Sequence, residues 1–225
     1  MADAELTPDF ARQARLAGLL YLIIIVTGLG AELGLRAPLI DLGDAEATAA
    51  AILGSPGQFR LAIGADIVMA LSHAGLAILL YMIFRTLAPG LALSAMVFRL
   101  IQTVLIAASL MALLTAWLLL SRAEDLADAP TLALVFLDLH AHGDDLGLVF
   151  FGVNSLIMGL LVWRSDRFAK AFGAGLALAG LVYLIGSGLR FFAPDLSSAF
   201  MPAYGLTILA ETAFCLSLLL QRSPG

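Results

Sequence analysis

LIQTVLIAASLMALLTAWLLLS, Leu100–Ser121, is a run of 22 residues without a formal charge, bounded by Arg99 and Arg122. As an α-helix rising 1.5 Å per residue it extends about 33 Å, enough to cross the roughly 30 Å hydrocarbon core of a bilayer. Five further stretches behave alike. Leu16–Ala31 carries no charge, Leu146–Trp163 gives 18 uncharged residues, and the segment between Lys170 and Arg190 gives 19. Leu61–Phe84 is apolar but for Asp66 and His73, and Pro202–Leu220 is apolar around Glu211. The spacing of charges thus predicts spans over 14–35, 61–84, 91–120, 146–163, 171–190 and 202–220. The fold class is all-α, a polytopic membrane helix bundle of about six spans in a single integral membrane domain, 1–225.

Composition gives the same answer. Of 225 residues, 61% are hydrophobic and 13% charged, with a mean hydropathy of +1.00. A soluble domain carries about 25% charged residues. The predicted partner is therefore the lipid bilayer. One cysteine, Cys215, excludes an internal disulfide framework. A net charge of −5 and a pI near 5.0 argue against a nucleic-acid partner.

Lys and Arg concentrate in cytoplasmic loops of membrane proteins. Arg12, Arg15, Arg85, Arg164, Arg167, Lys170 and Arg222 fall on one side of the predicted spans, while Arg36, Arg60, Arg122 and Arg190 fall on the other with Asp41, Asp44, Glu46, Glu124, Asp125, Asp128 and Asp195. Both termini are expected in the cytoplasm. The first span, preceded by Asp3, Glu5 and Asp9, does not read as a cleavable signal and is expected to remain as a helix.

Two segments lie outside the spans. DAEATAAAIL, Asp44–Leu53, reads as a short amphipathic helix on the outer surface, with Asp44 as N-cap and Gly54-Ser55-Pro56 as its stop. Thr131–Asp145 either extends the fourth helix outward or folds as a re-entrant cap. There is also an internal echo: LAGLLYLI at Leu16–Ile23 and LAGLVYLI at Leu178–Ile185 agree at seven of eight positions. Chance similarity among Leu-, Ala- and Gly-rich helices explains such a match, as does a parallel repeat. Gly173 and Ala177, at small-xxx-small spacing, suit close helix packing.

Ionisable groups inside a bilayer must face the interior, a partner or water. His73, Arg99, Gln102, Asn154 and Glu211 come out near mid-span, with Arg99 and Glu211 as the expected ion pair. Asp66 and His73 are two turns apart on one helical stripe. Together Asp66, His73, Arg99, Gln102, Asn154 and Glu211 form a candidate polar seam that could bind a small polar ligand or lipid headgroup, pass a proton or ion, or staple helices together. The densest chemistry is DLHAHGDD, Asp138–Asp145. As a helix it places Asp138, His142 and Asp145 on one face and His140 with Asp144 on another; if extended, His140 and His142 point the same way. Asp138, His140, His142 and Asp145 are the candidate metal ligands, for zinc or a similar divalent ion. Gly143 weakens a helix there, and no HExxH spacing accompanies the group. Apart from that metal, no cofactor is predicted. Glu32 and Arg36, four apart, read as a surface pair. No GxSxG, Walker loop, dinucleotide fingerprint, CxxC or CxxCH occurs, and Ser72 beside His73 cannot act as a nucleophile–base pair because neighbours on a helix diverge by about 100°.

The chain resembles a bacterial integral-membrane family known as domain of unknown function 4386. The resemblance covers about Ala11–Gln221 and rests on ARLAGLLYL from Ala14, FRL at Phe98–Leu100, LDLH at Leu137–His140, GLVFFG at Gly147–Gly152 and LAGLVYLI in the fifth span. It implies a bundle of about six helices in the bacterial inner membrane and brings no activity with it. Two positions depart from the family pattern: Asn154 stands where a His is frequent, and His73 where an acid is frequent. The functional alternatives are thus a ligand-, proton- or ion-handling membrane protein, a metal-dependent membrane hydrolase, and a scaffold for a membrane-protein partner.

Overall fold

The computed structural model describes residues 8–122, 126 and 128–221; Asp3, Glu5, Glu124, Asp125 and Arg222, counted in the charge balance above, lie outside them. The described chain is helical, without a strand. Helix α1 (Pro8–Leu29) continues through a wider π-helical turn over Gly30–Arg36, followed by α2 (Ala45–Gly54), α3 (Pro56–Phe84), α4 (Pro89–Ser121), α5 (Ala129–Arg164), α6 (Lys170–Phe192), α7 (Pro194–Phe200), a 3-10 turn (Met201–Ala203) and α8 (Tyr204–Leu219). Among the described residues, six helical stretches are long and apolar enough to cross a membrane: Asp9–Arg36, α3, α4, α5, α6 and Pro194–Leu219. The last is composite. Helix α8 alone has 16 residues, about 24 Å, and only with α7 and the 3-10 turn does it match a bilayer.

Local chemistry sets several boundaries. Helices α3, α4 and α7 each begin at a proline, whose fixed φ and missing N–H suit the first helical position. Asp44 caps α2 by accepting from the Ala47 N–H at 2.9 Å.

Of the two readings of Thr131–Asp145, the structure has the one in which the fourth helix extends beyond 146–163. Residues 131–145 are helical and belong to α5, a helix of 36 residues. The acids that ended the apolar run do not end the helix, because they pair along it. His142 Nδ1 lies 3.3 Å from Asp138 Oδ1, and His140 Nε2 lies 3.4 Å from Asp144 Oδ2, both at i,i+4. Gly143, the weak point of that helix, abuts Ser109 of α4, whose Cβ would stand 2.7 Å from a β-carbon on Gly143.

The chain divides into two compact units. Of the described residues, unit 1 takes those up to Leu22, then Ser72–Gln102 and those from Leu148 to Gln221; unit 2 takes Ile23–Leu71 and those between Thr103 and Gly147. In unit 1, α5 and α6 touch at Gly152 with Gly180 and at Gly159 with Gly173, two pairs spaced seven residues apart. Trp163 lies under Lys170 at 5.8 Å and Phe10 under Arg167 at 4.4 Å, the aromatic and basic residues expected at a membrane–water boundary. In unit 2 the core gathers Leu39, Ile52, Phe59, Leu113, Ala116 and Leu137. Helix α2 contributes Ala49 and Ile52 to it, and Thr48 exchanges two 2.8 Å hydrogen bonds with the Asp41 backbone. Thus α2 is built into unit 2 by one face rather than merely resting on a surface.

Candidate functional site: a buried polar network in unit 1

Five of the six predicted seam residues fall in unit 1: His73, Arg99, Gln102, Asn154 and Glu211 are all buried there. Arg99, on α4, is 2% exposed. Its Nε donates to Asn154 Oδ1 at 3.3 Å, and its Nη1 lies 3.4 Å from His73 Nδ1. Since a guanidinium only donates, His73 Nδ1 is the acceptor in that contact and the ring proton sits on Nε2. Asn154 Nδ2 donates to the Ala95 carbonyl at 2.7 Å, which fixes the orientation of its amide. The guanidinium stands over two rings, Phe151 at 4.9 Å and Tyr21 at 5.4 Å.

The expected Arg99–Glu211 ion pair is not formed by direct contact. Glu211, on α8, accepts from two phenols: Tyr21 donates to Oε2 at 3.2 Å, and Tyr183 donates to Oε1. Arg99 and Glu211 act on each other electrostatically and are joined through Tyr21, which gives its hydroxyl to the acid and its ring face to the cation. Spacing alone did not single out Tyr21 and Tyr183. The signal was there, however, because they are the tyrosines of the two matching octapeptides, and both copies grip α8. Gly18 of the first copy lets Leu219 approach within 2.8 Å of a built β-carbon, and Cys215 Sγ lies 3.3 Å from the Gly18 carbonyl oxygen. Gln102, one turn after Arg99, is buried, and its Oε1 has no hydrogen-bond partner among the described residues.

A narrow crevice runs between Ala77 and Tyr81 of α3 and Ala92, Ala95 and Met96 of α4 and reaches Arg99 and Asn154. Its walls are apolar and its floor is a cation beside an amide.

Asp66 does not belong to this network. It lies in unit 2, buried against Arg36, whose Nη1 donates to Asp66 Oδ2. Arg36 is therefore not the surface residue its spacing from Glu32 suggested. It bonds Glu32 Oε2 at 2.7 and 3.1 Å with Nη2 and Nε and reaches inward with Nη1. The cause is the π-turn: the Ala37 N–H bonds the Glu32 carbonyl five residues back, which shifts the helical phase and points Arg36 at α3. Asp138, His140, His142 and Asp145 also lie in unit 2. His140 Nδ1 faces the Ser109 carbonyl at 3.1 Å, and the Ser109 hydroxyl donates to Asp144 at 2.6 Å. His142 turns back to its own helix, with Nδ1 2.9 Å from the Asp138 carbonyl oxygen. Among the described residues, no group of three or more His, Cys, Asp or Glu side chains stands close enough to hold a metal ion.

A family model described as Domain of unknown function (DUF4386) matches residues 16–221. The chain belongs to that family. The match encloses every residue of the polar network, so Arg99, Glu211 and the two tyrosines sit inside the DUF4386 region rather than on an appended segment. No curated protein and no solved structure shows a match to this chain.

Proposed function

We propose that this multi-pass protein binds a small polar ligand carrying negative charge, or the headgroup of an anionic lipid, at Arg99. The observation that carries the reading is the indirect link between Arg99 and Glu211. Two opposite charges buried only to hold helices together are most cheaply placed in direct, bidentate contact. Here a tyrosine stands between them, and a crevice reaches Arg99 and Asn154. A guanidinium with an amide beside it suits a phosphate or carboxylate, and apolar walls suit an acyl chain. The crevice is too tight for a water molecule as it stands, so a ligand enters by displacing Tyr81 and Met96, both half-exposed. Passage of a proton or ion is the second reading, favoured by the buried acid held between two phenols.

The test is the lipid that stays with the purified protein. Mass spectrometry should find anionic lipid bound to the wild type and lost from Arg99→Gln, with the helical content of both unchanged. If Arg99→Leu/Glu211→Leu retains the same lipid, the pair is a staple and the reading fails. One stoichiometric protein partner in place of lipid would favour a scaffold, and stoichiometric zinc a hydrolase. The Lys and Arg distribution further supports cytoplasmic termini in a bacterial inner membrane, which reporter fusions at each end would test.

A further inference from the structure

The buried charges of unit 1 constrain what can bind at Arg99. With Glu211 as a carboxylate, it and Arg99 are opposite charges in one hydrogen-bonded network and together carry no net charge. Glu211 accepts from both phenols, an arrangement that suits a carboxylate, which has acceptors only. Adding an anion to Arg99 leaves the network one negative charge in excess. In a low-dielectric interior that excess is expensive, and the group best able to remove it is Glu211. Arg99 cannot lose or gain a proton, and His73 offers its Nδ1 lone pair to Arg99.

Resting on the reading of Arg99 given above, we infer that the site takes its anion together with one proton, the anion at Arg99 and the proton at Glu211. The proton comes from water, forms one O–H bond on the carboxylate and leaves the occupied network neutral. The acid then has one donor. A phenol accepts as well as donates, so Tyr183 reverses its bond and turns its own hydrogen to Thr207, while Tyr21 keeps donating to the other oxygen. The groups facing Glu211 are Tyr21 from α1, Arg99 from α4 and Tyr183 from α6, with Thr207 on its own helix and His73 of α3 behind Arg99. None but Arg99 carries a fixed charge. Because a guanidinium has donors only, a proton cannot relay through Arg99 to His73.

The anion's shared chemistry is that of a phosphodiester monoanion, which fits the guanidinium fork and carries no proton of its own near neutral pH. Two probes separate its sources: phosphatidylglycerol diluted into phosphatidylcholine nanodiscs, and dimethyl phosphate added to nanodiscs of phosphatidylcholine alone. Binding of each to the wild type is measured by calorimetry in two buffers of different ionisation heat, which counts protons without any substitution. The expected result is about one proton taken up per anion bound, and an affinity that falls up to tenfold for each unit rise in pH once Glu211 is ionised in the free protein. Phosphatidylglycerol alone binding identifies a lipid site; dimethyl phosphate binding as well identifies a headgroup site open to free anions. Glu211→Gln, neutral at every pH, should bind the same probe without proton uptake and without the pH slope. Binding with no proton uptake by the wild type overturns the coupling and leaves the Arg99 site standing, as does a pH slope that persists in Glu211→Gln. Binding of neither probe overturns both.

Discussion

Gly159 and Gly173 face each other across the α5–α6 crossing so closely that a β-carbon on either would lie 2.7 Å from the other's carbonyl oxygen. The atoms in the way are backbone and cannot yield as a flexible side chain can. Gly159→Ala and Gly173→Ala should each destabilise the protein by about 1–3 kcal/mol through overpacking, read as a lower midpoint of thermal unfolding in detergent. Gly64→Ala, where nothing stands within 4 Å of the added carbon, is the control and should be neutral or slightly stabilising. Equal effects at all three positions would show that close approach is not what these glycines provide.

The clasp on Glu211 makes a second prediction. Tyr21→Phe or Tyr183→Phe removes one donor and leaves one carboxylate oxygen buried and bare, a loss of about 1–3 kcal/mol for each. The double substitution should cost less than the two added together, because an acid stripped of one donor protonates and needs the second less. Unfolding of the four proteins in a denaturing detergent series measures the coupling. Strict additivity would mean that the two phenols act independently, and the matching octapeptides would then share a sequence without sharing a task.

The six spans could be read from charge spacing because lipid penalises each ionised group by several kcal/mol, so uncharged runs of sufficient length can hardly be anything else. Burial of His73, Arg99, Gln102, Asn154 and Glu211 followed from the same argument. Their pairing did not, since depth along a helix says nothing about rotation around it. Arg99 and Glu211 were matched by depth, yet Tyr21 stands between them. Asp66 was placed with His73 by helical phase, while its partner Arg36 was hidden by a π-turn that no period-3.6 reading anticipates. The sequence left open whether 131–145 extends the fourth helix, for a related reason. The apolar window closes at Asp145, whereas the helix continues because its acids and histidines satisfy one another four residues apart.

Asn154 makes two bonds that an apolar residue of similar size cannot. Asn154→Leu leaves the Ala95 carbonyl and Arg99 Nε each without the partner it has in the structure, at 2.7 and 3.3 Å. A loss of about 2–4 kcal/mol in unfolding free energy is expected. Asn154→His, which restores the residue type that the family resemblance suggests for this position, should recover a substantial part. If leucine is tolerated without loss of stability, the amide contributes nothing to holding Arg99.

Arg36 and Asp66 form the buried ion pair of unit 2, and their side chains are only 6% and 2% exposed. Removing one partner from such a pair strands the other charge, so Arg36→Met and Asp66→Leu should each cost about 3–5 kcal/mol. Combining them removes both charges and replaces them with apolar volume, so the double variant should regain most of what either single variant loses. Glu32 shares the same guanidinium, but its side chain is 61% exposed. Screening by water limits Glu32→Gln to about 0–1 kcal/mol. Unfolding free energies of the four variants in one detergent decide the matter. A double variant as unstable as the worse single one would mean that the charges serve something beyond each other.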